Sequence, residues 1–158
     1  MQRTIFDPEH RDYRESVRRF AAAEMTPHID RWEREGIVPR ELFAAAAGKG
    51  MLAMAVGEEW GGAGVDDFRF NQILVEEFAY AGVAAAGLGL SLHSDIALPY
   101  FLEYCDAEQQ RRWLPGIADG SLITAIAMTE PGIGSDLASM TTSAIRDGDH
   151  YVVNGSKT

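Results

Sequence analysis

The run Ile123-Thr124-Ala125-Ile126-Ala127-Met128, followed by Thr129-Glu130-Pro131-Gly132-Ile133-Gly134-Ser135-Asp136, decides how the chain is read. Before it, apolar residues recur at helical spacing. Within it they become continuous, β-branched and uncharged, which predicts a buried strand. The next eight residues hold a proline and two glycines, which predicts a long turn with exposed backbone N–H groups. Thr141 to Ile145 and Tyr151-Val152-Val153 then read as strands on either side of Asp147-Gly148-Asp149. Asn154-Gly155 is the strongest two-residue hairpin signal in the chain, and a turn there requires a return strand. Only Ser156, Lys157 and Thr158 follow it. Residues 122–158 therefore read as the first strands of a truncated β-domain, completed by further chain or by a partner.

Residues 1–121 read as a mainly helical domain of about six helices. Asp7-Pro8 supplies an N-cap and a first-turn proline, and Tyr13, Val17, Phe20 and Ala21 form an apolar stripe. Thr26-Pro27 repeats the signal for a short helix carrying Ile29 and Trp32. Pro39 opens a third helix with Leu42, Phe43, Ala46 and Ala47. Met51 to Val65 is glycine-rich and reads as a loop. Asp66 or Asp67 caps a fourth helix with Phe70, Ile73, Leu74 and Phe78 on its apolar face. Glu77 falls on that face, where a carboxylate paired with an arginine or reaching the helix edge is expected rather than a catalytic one. Ala81 to Tyr104 reads as one long helix whose small residues favour close packing. His93, inside it, is expected to be a hydrogen-bonded core residue. Asp106 with Gln109 forms a capping box for the last helix, which carries Trp113, Leu114 and Ile117 and ends at Gly120.

Composition excludes several classes. The formal net charge of −10 gives no electrostatic reason to bind nucleic acid or an anionic membrane. Most of that acidity lies in the helical part, where residues 1–122 hold 20 acidic and 12 basic side chains. A single cysteine, Cys105, makes neither an intrachain disulfide nor a cysteine zinc site, and a reducing cytoplasm is the expected compartment. No apolar run is long enough for a membrane span, and the N-terminal ten residues lack the pattern of a signal or transit peptide. The four histidines have no metal-ligand spacing. Gly87-Leu88-Gly89 lacks the remainder of a dinucleotide fingerprint. The loop from Thr129 to Asp136, with its glycines and hydroxyls, suits an anion or a polar ring, or is an ordinary hairpin loop. The residues alone leave both open.

Ala127 to Asp136 resembles the signature loop of the acyl-CoA dehydrogenases. Glu58-Glu59-Trp60-Gly61-Gly62, Asp106-Ala107-Glu108-Gln109-Gln110 with Trp113-Leu114-Pro115, and Asp147-Gly148-Asp149 through Asn154-Gly155-Ser156-Lys157 resemble further motifs of that family, in its order. Ser91-Leu92-His93-Ser94 resembles the long-chain branch. Ile133 replaces a customary small residue and Gly57 a customary proline.

The resemblance implies a helical N-terminal domain, then the start of a β-barrel-like middle domain, with the family's C-terminal helical domain absent from these residues. It implies FAD as cofactor. Ile126, Ala127, Met128 and Thr129 would line the flavin ring, and Gly134 and Ser135 would meet the pyrophosphate. Ser135 would also touch the acyl-CoA substrate. The implied reaction is α,β-dehydrogenation of an acyl-CoA thioester in fatty acid β-oxidation, with electrons passed to an electron-transfer flavoprotein. A homo-oligomer, tetramer or dimer, is implied for the full-length enzyme. The family's catalytic base is a C-terminal glutamate outside these 158 residues, so no catalytic residue is expected here and the segment alone is expected to be inactive. A flavin oxidase or hydroxylase of the same fold, and a non-catalytic helical subunit completed by a partner chain, are the alternatives.

Overall fold

A computed structural model describes residues 4–158. The first three residues of the stretch screened for a targeting signal lie outside the described residues. The chain forms two compact units that divide between Ala125 and Ile126.

The helical unit contains α1 (Pro8–Phe20), α2 (Ile29–Glu35), α3 (Glu41–Ala47), α4 (Phe68–Tyr80), α5 (Ala84–Ser91), α6 (Leu98–Tyr104) and α7 (Ala107–Asp119). Three of the expected starts are present. Asp7 precedes Pro8 in extended conformation, and its N–H donates to His10 Nδ1 at 3.2 Å. Asp67 caps α4 by accepting from the Arg69 N–H. Asp106 caps α7 by accepting from the N–H groups of Glu108 and Gln109, and Gln109 accepts in return.

Two expectations change. Thr26 does not start a new helix, because a π turn (Ala21–Met25) and a 3-10 turn (Thr26–His28) carry α1 on into α2. Thr26 is itself helical, and its hydroxyl donates back to the Ala21 carbonyl at 3.1 Å. The helix expected from Ala81 begins at Ala84 and contains a π turn (Leu92–Ala97) between α5 and α6. The wider turn accommodates Pro99, whose missing N–H would break a regular α-helix. About six helices thus become five continuous rods among the described residues, the first running from α1 through α2 and the fourth from α5 through α6.

The core lies where α1 meets α4. Val17, Phe20, Ile73, Leu74 and Phe78 are all buried, and each such side chain contributes about 1.5–3 kcal/mol on leaving water. Gly87 of α5 permits a close approach to α4. A Cβ there would lie 2.4 Å from the Phe78 ring. The glycine-rich segment after α3 is more than surface loop, since Met51, Leu52, Ala53, Met54 and Val56 are buried. Their apolar run has no helical or strand period, so it escapes a search for periodicity.

Charges enter this core in pairs. Glu77 is 2% exposed and receives Arg14 and Arg18, so α1 and α4 are pinned by ions as well as by apolar contact. Arg14 also reaches Glu76 at 2.9 Å. His93, fully buried, is a neutral linker: Nε2 donates to the Ile117 carbonyl at 2.9 Å, and Nδ1 accepts from the Thr124 N–H at 3.2 Å. This bond holds residues 122–125, expected with the β part, to the helical unit.

The second unit holds one antiparallel hairpin, β1 (Ser143–Asp147) with β2 (His150–Asn154), in register Ser143↔Asn154 to Asp147↔His150. It turns at Gly148-Asp149, where Gly148 has φ +64°, as a glycine-first two-residue turn requires. The Asn154-Gly155 turn is not formed, because Asn154 is still paired in β2 and Gly155 has no positive φ. Nor do residues 123–128 form a strand. No ladder partner lies alongside them among the described residues, and the Met128 carbonyl accepts from Lys157 Nζ instead.

Two outcomes are expected. Gly87→Ala should destabilise the helical unit by about 1–3 kcal/mol through overpacking against Phe78, seen as a lower urea midpoint. The second concerns His93, whose burial holds its imidazole below the ordinary value of 6.5. The unfolded chain binds the proton first, so stability should fall as pH drops below that value and level off below the depressed folded pKa. Urea midpoints across that range should show the loss in the wild type and a flatter profile in His93→Gln.

Candidate functional site

Residues 126–135 form the candidate site, all within the second unit. Ile126 is half-buried, while Ala127, Met128, Thr129, Gly134 and Ser135 are exposed. Glu130 and Ile133 exchange two backbone hydrogen bonds, N to O at 3.2 and 3.1 Å, around Pro131-Gly132. This tight turn folds the loop so that Thr129 and Gly134 flank one bridge. Thr129, Gly134 and Ser135 thus lie at or next to one short turn, with Ile126, Ala127 and Met128 leading into it.

The turn is anchored by a residue that sequence reasoning did not assign. Glu130 is 5% exposed, and its carboxylate is surrounded by donors. Thr142 N–H reaches Oε1 at 2.9 Å, and the N–H and hydroxyl of Thr141 reach Oε2 at 2.8 and 2.7 Å. Lys157 Nζ completes the set at 3.0 Å. Hydrogen bonds from Thr142 and Thr141 hold this carboxyl well below the ordinary carboxylate range. A carboxylate so occupied does not act as a base. Lys157 is one of two basic residues after Leu122, and an acid just after an uncharged, β-branched stretch was the available signal.

Two main-chain carbonyls of the site are also taken. Lys157 Nζ donates to Met128 O at 3.1 Å, and Thr158 N–H donates to Thr129 O at 3.1 Å. The N–H groups of Met128, Thr129, Gly134 and Ser135 and the hydroxyls of Thr129 and Ser135 have no hydrogen-bond partner among the described residues. A Cβ on Gly132 or Gly134 would meet nothing within 4 Å. The loop therefore presents an open face rich in neutral donors, which fits carbonyl and phosphoryl oxygens. That donor set fits the FAD implied by the resemblance. Metal-type grouping occurs elsewhere, where Asp7, Glu9 and His10 come together, but His10 Nδ1 already accepts from the Asp7 N–H.

No helix among the described residues is long and apolar enough to cross a membrane. Comparison with known proteins is consistent throughout. The long-chain specific acyl-CoA dehydrogenase, mitochondrial, of Sus scrofa is 45% identical over 155 residues, covering 98% of this chain and 35% of that protein. The crystal structure of an acyl-CoA dehydrogenase from Geobacillus kaustophilus superposes with a TM-score of 0.91 at 43% identity, over 99% of this chain and 40% of that one. A glutaryl-CoA dehydrogenase from Mycobacterium smegmatis in complex with FADH2 gives a TM-score of 0.88 at 28% identity, over 96% and 39%. The chain thus spans about 35% of the length of the long-chain relative. Residues 7–121 match the acyl-CoA dehydrogenase N-terminal domain, and the chain belongs to the acyl-CoA dehydrogenase family.

Proposed function

We propose that these residues are the N-terminal part of an FAD-dependent acyl-CoA dehydrogenase that converts an acyl-CoA thioester to the trans-2-enoyl-CoA. The observation that carries the proposal is the donor-rich loop, with unpaired N–H groups at Met128, Thr129, Gly134 and Ser135 on a chain of this family. Bound FAD supplies a two-electron acceptor for the hydride lost from the substrate's β-carbon.

In this reading Ile126, Ala127 and Met128 form an apolar wall beside the flavin ring. Thr129 offers its N–H and hydroxyl to the polar edge of the ring. Gly134 and Ser135 hold the pyrophosphate through backbone N–H groups, so an acidic protein binds an anionic cofactor without a basic patch. Ser135 also meets the acyl-CoA. The proposed electron acceptor is an electron-transfer flavoprotein, and the proposed assembly is a homo-oligomer. The proposed setting is a reducing one, the cytoplasm, in keeping with the free thiol of Cys105. No residue of this segment is assigned as the base that removes the α-proton.

The test uses the complete polypeptide that carries this segment. Gly134 has open space around it and no left-handed φ, so a side chain there costs the fold little. Gly134→Val and Ser135→Val put a branched side chain where the pyrophosphate would approach these N–H groups, and should therefore weaken FAD binding roughly tenfold or more, about what blocking one charged hydrogen bond costs. Flavin absorbance after gel filtration reads the result, and unchanged occupancy in both variants counts against the loop assignment. Anaerobic bleaching of the flavin band by short-, medium- and long-chain acyl-CoA thioesters then identifies the substrate class. Rapid reoxidation by air would instead point to an oxidase of the same fold.

A further inference from the structure

The proposed cofactor contacts leave Glu130 and Lys157 without a part, although they hold the most heavily bonded carboxylate of the second unit. We propose that Glu130 and Lys157 form a clasp that positions the cofactor loop, acting on FAD through the main chain of Met128 and Thr129 without touching it. This rests on the reading of residues 126–135 as flavin-binding.

Chain connectivity makes the argument. Glu130 follows Thr129 directly, and its own backbone is bridged to Ile133, whose next neighbours are Gly134 and Ser135. A shift of the Glu130 carboxylate therefore moves the donors on both sides of the turn. Four donors from two distant stretches fix that carboxylate: two from Thr141, one from Thr142 and one from Lys157. Lys157 Nζ also holds the Met128 carbonyl, at 3.1 Å, and the adjoining Thr158 N–H holds the Thr129 carbonyl.

These two bonds give the clasp its direction. With the carbonyls of Met128 and Thr129 each already accepting a bond, the groups left without a partner on the same residues are their N–H groups and the Thr129 hydroxyl, each able to donate. A ligand with carbonyl oxygens then meets donors, while the competing main-chain acceptors are engaged elsewhere. Lys157 thus sets hydrogen-bond polarity at the ring edge, while Glu130 sets position. The Glu130 side chain is 4% exposed and that of Lys157 25%, so solvent screens the pair weakly. Both are positioning residues.

The experiment compares Lys157→Met, Lys157→Arg and Ser135→Val with the wild type in the complete polypeptide. Three readouts are taken: FAD affinity by fluorescence titration of apoprotein, the visible spectrum of bound flavin, and thermal unfolding. Lys157→Met keeps the aliphatic stem and removes both bonds. It should weaken FAD about tenfold and shift the bound-flavin spectrum, as loss of a charge-assisted bond implies. Lys157→Arg should restore most of both. If Lys157→Met does not fold, Thr141→Val removes one of the four donors and should show the same spectral shift with about threefold weaker binding. A lower unfolding temperature with unchanged affinity and spectrum makes the pair scaffold only and overturns the clasp. Should Ser135→Val weaken FAD while Lys157→Met leaves it unaltered, the loop reading stands and the clasp falls. A wild-type polypeptide that binds no FAD overturns both.

Discussion

A carboxylate taken out of water has to be met by donors, and each unit of this chain is organised around one that is. In the helical unit Glu77 draws Arg14 and Arg18 across from α1, fixing how α1 lies on α4. In the second unit Glu130 gathers Thr141, Thr142 and Lys157 around a single side chain. Apolar burial supplies most of the stability in the first case, but it is non-directional. The ions give it register. In the second case there is little apolar burial to share the work, since every residue of β1 and β2 is exposed. There the carboxylate is the main organiser.

This division explains what the sequence could and could not show. Helix starts were legible because a cap is a local event: Asp7, Asp67 and Asp106 each act within three residues of themselves. An arginine partner for Glu77 was legible as one of two arrangements, because its helical phase put a charge on an apolar face, and the structure shows that one. The π turns were not, since their spacing differs from an α-helix by one residue in five or six and leaves the apolar pattern nearly intact. Nor was the role of Glu130, whose partners lie 11 to 27 residues away and follow no periodic rule.

The site shows the same contrast. Glycine, proline and hydroxyl content marked residues 129–136 as a loop with exposed amides. That the carbonyls of Met128 and Thr129 are taken by Lys157 and Thr158 could be seen only in three dimensions. The strand expected at residues 123–128 failed for a related reason. A β-branched run states a preference for extended backbone, but a ladder needs a neighbouring strand, and β1 and β2 pair only with each other.

The π turn at Leu92–Ala97 bears on chain length at this point. It holds α5 and α6 at a rotational offset that an uninterrupted α-helix would not have. One residue corresponds to about 100° of rotation about a helix axis. Loss of a single residue from Leu92–Ala97 would let the turn close into regular helix and swing every side chain of α6 through that angle, carrying Leu98, now 1% exposed, off the core. The spacing between Ser91 and Leu98 therefore sets which face of α6 looks inward, whatever side chains fill it.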